Sequence, residues 1–160
     1  MEILGTPGVQ NVMKWIEKDK MLIKEFISET NKNQMISTLM KHYKVENVKL
    51  KYKSIKDHAH YNVDTGTLEL STKYKSLKPR QIKQFLITIT HEIYHAMQSK
   101  KYGWKKFKGM WEYEANMISG DHRPGKTDPY KDNPHEIEAE EFGQKNWKKW
   151  YDKFKKQDLI

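Results

Sequence analysis

At 160 residues, with 36% hydrophobic and 32% charged residues, the chain can bury a sizeable core, and its five Trp, nine Tyr and five Phe argue against a disordered composition. It contains no cysteine, which excludes disulfides, cysteine-based zinc knuckles and thiol catalysis. The formal net charge of +9 would suit nucleic acid, an anionic surface or an acidic partner. The lysines are scattered, however, in stretches such as KSLKPRQIKQ and NWKKWYDKFKKQ, where they alternate with aromatics at helical spacing. They read as a solvated basic face, and no helix-turn-helix, RNA-binding or zinc-finger pattern accompanies them.

The first residues, MEILGTPGVQ, lack a basic region followed by an apolar stretch, and no window approaches the ~18 apolar residues of a membrane span. The expectation is a soluble, cytoplasmic protein with no membrane association. Residues 9–31 read as an amphipathic helix with Val12, Ile16, Ile23, Phe26 and Ile27 near one stripe. A second helix starts near Asn33 and carries Ile36, Leu39, Met40 and Tyr43. VENVKLKYK then switches to period two, placing Val48, Leu50 and Tyr52 on one face of a strand. HYNVDTGTLELS reads as a hairpin turning at Asp64-Thr65-Gly66. Pro79 suits the first turn of a long helix running to about Lys101. A short helix is expected at Met110–Ile118, then a Gly-, Pro- and Asp-rich loop, then a last helix from about Pro134 to Lys156. This order predicts an α+β fold in one domain over residues 1–160. The N-terminal helices occupy 1–45, and 46–160 holds a small antiparallel sheet packed on a central helix, followed by the last helix.

The central helix carries the chemistry. Ile82, Phe85, Leu86, Ile89, Ile93 and Met97 form its core stripe, and HEIYH at 91–95 lies on the same helix. His91 and His95 are four residues apart, so both imidazoles project from one side and can share a zinc ion at about 2.0–2.1 Å. Glu92 is turned by about 100° and can reach a water on that ion without ligating it. This is the division of labour in H-E-x-x-H, with histidines as ligands and glutamate as general base.

A zinc centre needs a third protein ligand. On the last helix, Ala139, Gly143, Trp147, Trp150 and Phe154 all lie within about 60° of Glu136, whereas Glu138 falls among Glu141, Lys145, Lys148 and Lys149 on the far side. A carboxylate heading an apolar, small-residue stripe is costly to bury unless a cation meets it, which favours Glu136. Glu112 and Glu114, 17 and 19 residues after His95, are rivals at a distance that also suits a third ligand.

HEIYHAMQ followed by NPHEIEAEEFG resembles zincin-like metallopeptidases of phages and mobile elements, including the ImmA/IrrE type. There H-E-x-x-H is followed by E-x-x-A-x-x-F-[AG] on a later helix, which Glu136, Ala139, Phe142 and Gly143 match. The resemblance covers roughly residues 60–146 and implies a gluzincin-like centre with Glu136 as ligand, one Zn2+ per chain, and a virion or infected host cell as a setting. It also implies that TGTLELS is the edge strand along which an extended substrate binds. Two departures stand out. The family's Asn after the Ala is Glu140 here, while an Ala-Asn pair occurs at Ala115-Asn116, which keeps Glu112 in contention. The DNA-binding domain frequent in ImmA/IrrE proteins is not visible in the chain.

His58 and His60 form an H-x-H pair that reads as surface residues for want of a third partner. His122, Arg123, Tyr130 and His135 precede the last helix, where an oxyanion donor would stand, and none is singled out. Trp147, Trp150, Tyr151 and Phe154 read as packing rather than a base-stacking platform. The expectation is therefore a zinc metalloendopeptidase acting on a protein or peptide. The alternatives are a basic nucleic-acid-binding module and a zinc-bound scaffold without catalysis.

Overall fold

The computed structural model describes residues 26–120 and 123–160. Four helices and a three-stranded mixed sheet among these residues give an α+β fold. Helix α1 spans Glu29–His42 and is capped by Ser28, whose hydroxyl accepts from the Asn31 amide. It starts four residues earlier than its apolar pattern suggested, because Ser28 supplies the cap and Glu29 suits the first turn. The segment 26–28 ahead of it is not helical, so the helix read over 9–31 does not extend through it; positions 9–25 of that reading lie outside the described residues.

Strands β1 (Lys49–Lys53), β2 (Ala59–Asn62) and β3 (Thr67–Ser71) follow. The hairpin forms as expected: β2 and β3 pair antiparallel, and the Asn62 side chain accepts from the Asp64 and Thr65 amides in the turn. The sheet as a whole is not antiparallel. Strand β1 lies on the other side of β3 and runs parallel to it, Lys49 beside Thr67 through Lys53 beside Ser71. Period-two patterning fixes which face of a strand is buried but not its direction. Residues 54–58 cross the end of β3, a span of two strand spacings or about 10 Å, within reach of five residues.

The Gln81 side chain accepts from the Lys78 amide and Pro79 opens the short 3-10 turn Pro79–Gln81, which leads into α2 (Ile82–Tyr102). At Gly103, φ of 81° turns the chain sharply, a conformation that side chains disfavour, and α3 (Trp104–Ser119) begins at once. This helix, at 16 residues, is nearly twice the length of the Met110–Ile118 segment read from sequence. Its exposed lysines and Gly109 blurred the apolar pattern, and only Phe107 and Ile118 are fully buried. Helix α4 (Pro134–Lys156) has the predicted bounds, with Asn133 as cap and Pro134 in the first turn.

Met35 and Leu39 of α1, Leu68 and Leu70 of β3, Phe85, Leu86, Ile89 and Ile93 of α2, and Trp150 and Phe154 of α4 share one core. Helix α4 packs along α2 at short range. A Cβ at Gly143 would stand 2.8 Å from the Ile87 carbonyl oxygen, so the glycine sets how near the two helices come. Trp150 donates to the Tyr43 hydroxyl at 2.9 Å, and Lys149 and Lys153 lie over its ring. The alternation of lysine and aromatic on this helix is therefore packing with a solvated rim. No helix among the described residues is long and apolar enough to cross a membrane.

Candidate metal centre

His91 and His95 project from the middle of α2 toward the first turn of α4, where Glu136 waits. Glu136 is placed from two directions. Asn133 caps α4 through its side-chain oxygen and donates its amide to the Trp111 carbonyl oxygen at 3.0 Å, while the Trp111 indole donates to Glu136 Oε1 at 3.1 Å. Helix α3 thus anchors both the start of α4 and its buried carboxylate. The N-terminal end of a helix also favours negative charge.

Glu136 Oε2 lies 3.0 Å from His91 Nε2, and Glu136 Oε1 lies 3.0 Å from His95 Nε2. One ligand atom from each residue falls within 4.8 Å of the others, and all three side chains are buried, so the group can hold a metal ion. In a tetrahedral site with bonds of about 2.0–2.1 Å, neighbouring ligand atoms stand about 3.3 Å apart, inside the 4.8 Å within which these atoms gather. The donors also fit on chemical grounds. His95 Nε2, although near Glu136, lies off the line a hydrogen bond needs and is buried without a hydrogen-bond partner among the described residues.

Outer contacts settle which nitrogen faces inward. Glu138 Oε2 accepts from Gln98 Nε2 at 3.3 Å; a carboxylate can only accept, so the other end of the amide, Oε1, is turned to His95 Nδ1 at 2.9 Å. His95 Nδ1 must then carry the proton, leaving Nε2 with its lone pair. On the other imidazole, His91 Nδ1 donates to Glu140 Oε2 at 3.0 Å and Nε2 bonds Glu136 Oε2 at 3.0 Å, so Nε2 is the nitrogen turned inward, where a metal ion would take the place of the proton shared with Glu136.

The charges are tightly coupled. Burial disfavours charged imidazoles, but the Glu136 carboxylate and the field of Glu92 outweigh it, and both histidines are held above their ordinary value. Burial would raise Glu136, yet the two imidazoles hold it far below the usual carboxylate range. Glu92 goes the other way. Burial pushes its carboxyl up against the pull of both histidines, which makes it the more basic carboxylate of the two. Glu92 Oε1 lies 3.9 Å from His91 Nε2 and faces the cavity that His95 and Glu136 also line.

The rival carboxylates stand apart from the imidazoles. Glu112 is exposed on α3 at the rim of that cavity, and Glu114 is paired with Arg123. Glu138 is exposed, as its helix face indicated, although it also accepts from the Tyr94 hydroxyl at 3.4 Å. His58 bonds the Tyr74 hydroxyl at 2.6 Å and is structural, whereas His60 lines the cavity. Among the loop residues, His135 packs edge-on against Phe107, and His122 lies outside the described residues. Tyr130 lines the cavities on both sides of Glu92; burial and the charges of Glu136 and Glu92 push its phenol up, so its hydroxyl stays protonated.

Sequence reasoning missed Gln98, Glu140 and Trp111, and it named Tyr130 only as one of four loop residues standing where an oxyanion donor would. The first two left a signal: Gln98 follows His95 by three residues and Glu140 follows Glu136 by four, each on the same helix face. Trp111 left none, and nothing in the sequence separated Tyr130 from its loop neighbours. Strand β3 was expected to be the edge strand, but β1 and β2 occupy both its sides. The strand bordering the cavity is β2, whose outer side no other described strand pairs with. No family model, curated protein or solved structure matches the chain.

Proposed function

We propose that the chain is a zinc-dependent, zincin-like metallopeptidase in which His91, His95 and Glu136 hold the metal and Glu92 is the general base. The observation that carries this reading is His95 Nε2, buried beside a buried carboxylate, without a hydrogen-bond partner among the described residues and turned inward by Gln98. Two neutral imidazoles and one carboxylate form a donor set suited to a catalytic zinc, with one position left for water or substrate. Zinc held there supplies Lewis acidity and lowers the pKa of water at the open position.

The chain's own residues do the rest. Glu92, buried and raised in pKa, takes the proton of the attacking water and delivers it to the leaving amine. The protonated Tyr130 hydroxyl, which borders the same space, donates to the oxygen that gains charge as the peptide carbonyl is attacked. The substrate lies extended along the outer edge of β2, where main-chain groups of Ala59–Asn62 can hydrogen-bond to it.

The test combines metal content with turnover. After dialysis against a weak chelator the protein should retain about one zinc per chain, and Glu92→Gln should keep the metal while losing about 10²–10⁴-fold of peptide cleavage, because an amide cannot accept the proton. A chain that holds no zinc, and whose His91→Ala form titrates with metal identically, would overturn the assignment.

A further inference from the structure

The cavity beside Glu92 and Glu136, about 400 Å³, adjoins a second of about 210 Å³, and the two share Glu92 and Tyr130. Together they form a groove that borders the chain from Asp57 to Asp64, past β2 and across Glu92. Its charge is opposite to that of the molecule. In a chain of net charge +9, the groove carries six carboxylates, on Asp57, Asp64, Glu92, Glu112, Glu136 and Glu140, and among the described residues one lysine, Lys108. Lys108 is already paired with Asp64 at 3.0 Å. A bound dication offsets two of the six charges and Lys108 a third, which leaves the groove negative by three.

We propose that this groove selects basic peptide segments, with lysine or arginine side chains on both sides of the bond that is cut. The proposal rests on the peptidase reading and names its substrate class. The two ends offer different seats. At one, Phe107 and Trp111 provide apolar walls with the exposed Glu112 at the rim, which suits a long side chain that lays its methylenes on the wall and its charge at the mouth. At the other stand Asp57, exposed, and Glu140, which shares its charge with His91. Between them the buried His95 Nε2, without a hydrogen-bond partner among the described residues, faces the groove, so the acidic residues surround a centre built to receive a ligand. The basic exterior repels a cationic peptide at long range. That repulsion is screened beyond about 8–10 Å at physiological salt, leaving the groove's own charges to decide.

The test uses the zinc-loaded full chain and three quenched-fluorescent decapeptides, identical except for lysine, alanine or glutamate on both sides of the scissile bond. The lysine peptide should be cut with a kcat/KM about ten-fold above the alanine peptide, with the glutamate peptide slowest. Glu112→Lys and Asp57→Lys should each pull the lysine-to-alanine ratio toward one or below, for lysines on opposite sides of the bond, with Glu112→Gln and Asp57→Asn intermediate. Equal cleavage of all three peptides, or a ratio unmoved by either reversal, overturns the charge selection and leaves the peptidase reading intact. If no peptide is cut, the peptidase reading fails, and anisotropy of the same peptides labelled with fluorescein still decides the groove. Tighter binding of the lysine peptide, weakened by Glu112→Lys, upholds the selection; equal binding of all three overturns it.

Discussion

The two imidazoles of the centre are supported in opposite ways. His91 is held from outside its own helix by Glu140 of α4, a charged group whose side chain is 55% exposed. His95 is held from within its own helix by Gln98, a neutral and buried amide, itself fixed by Glu138. Both supports achieve one result: Nδ1 faces an outer acceptor and Nε2 is turned toward Glu136. The local support is placed by helical spacing, although Glu138 of α4 orients its amide. The remote one exists only because α4 lies against α2, and Gly143 decides how closely. A two-histidine helix is thus half a centre, and the other half is a matter of packing.

Removing what the two sides share should have the largest effect. Glu136→Ala should lower zinc affinity, read by competition with a chromophoric chelator, by more than the ~10–100-fold typical of outer partners. Glu112→Ala in the same titration should change little, since Glu112 stands away from the imidazoles; a similar loss in both would mean a different third ligand.

Separating the two supports sharpens the contrast. Gln98→Ala leaves His95 Nδ1 without its acceptor and should cost about 10–100-fold in zinc affinity. Glu140→Gln keeps an acceptor beside His91 and should stay at or below the lower end of that range. Equal losses would show that charge, rather than orientation, is what the outer residues contribute.

Gly143→Ala tests the packing that the remote support depends on. A Cβ at 2.8 Å from the Ile87 carbonyl oxygen forces the helices apart, which should cost about 1–3 kcal/mol in a denaturant titration. Zinc affinity should fall as well, because Glu136 and Glu140 move with α4. Full stability with weakened zinc binding would mean that α4 shifts without strain.

The smallest effect is a dependence on pH that changes sign with metal. In the metal-free protein His91 and His95 have raised pKa values, so their contribution to stability is fully present below the unfolded value of about 6.5 and is lost as pH rises through their folded values. The depressed Glu136 contributes above its unfolded value of about 4.5, and that contribution is lost as pH falls through its folded value. The raised Glu92 also loses stability as pH rises above its ordinary value of about 4.5. Metal-free melting temperature should therefore decline as pH rises above about 6.5. The increment from added zinc should grow over the same interval, because protons compete for the imidazoles. A zinc increment independent of pH would argue that the metal binds elsewhere.

Much of this was legible in the chain. The bounds of α4, the apolar stripe of α2 and the β2–β3 hairpin follow from periodicity, caps and turn residues, which are local rules. So does the inward position of Glu136, because a helical step of about 100° sorts Glu136 from Glu138 without knowledge of the partner. Other features could not be read that way. The parallel placement of β1, the identity of β2 as the open edge and the full length of α3 depend on which surfaces meet, and period-two or period-3.6 patterns are silent about partners. Trp111 and Tyr130 reach the centre from a helix and a loop with no spacing relation to HEIYH; only the folded chain brings them there. What the sequence determined by itself were the donor types, two imidazoles and an inward carboxylate. Their convergence was decided by the tertiary structure, because distances between helices are set by packing at residues such as Gly143 and not by spacing along either one.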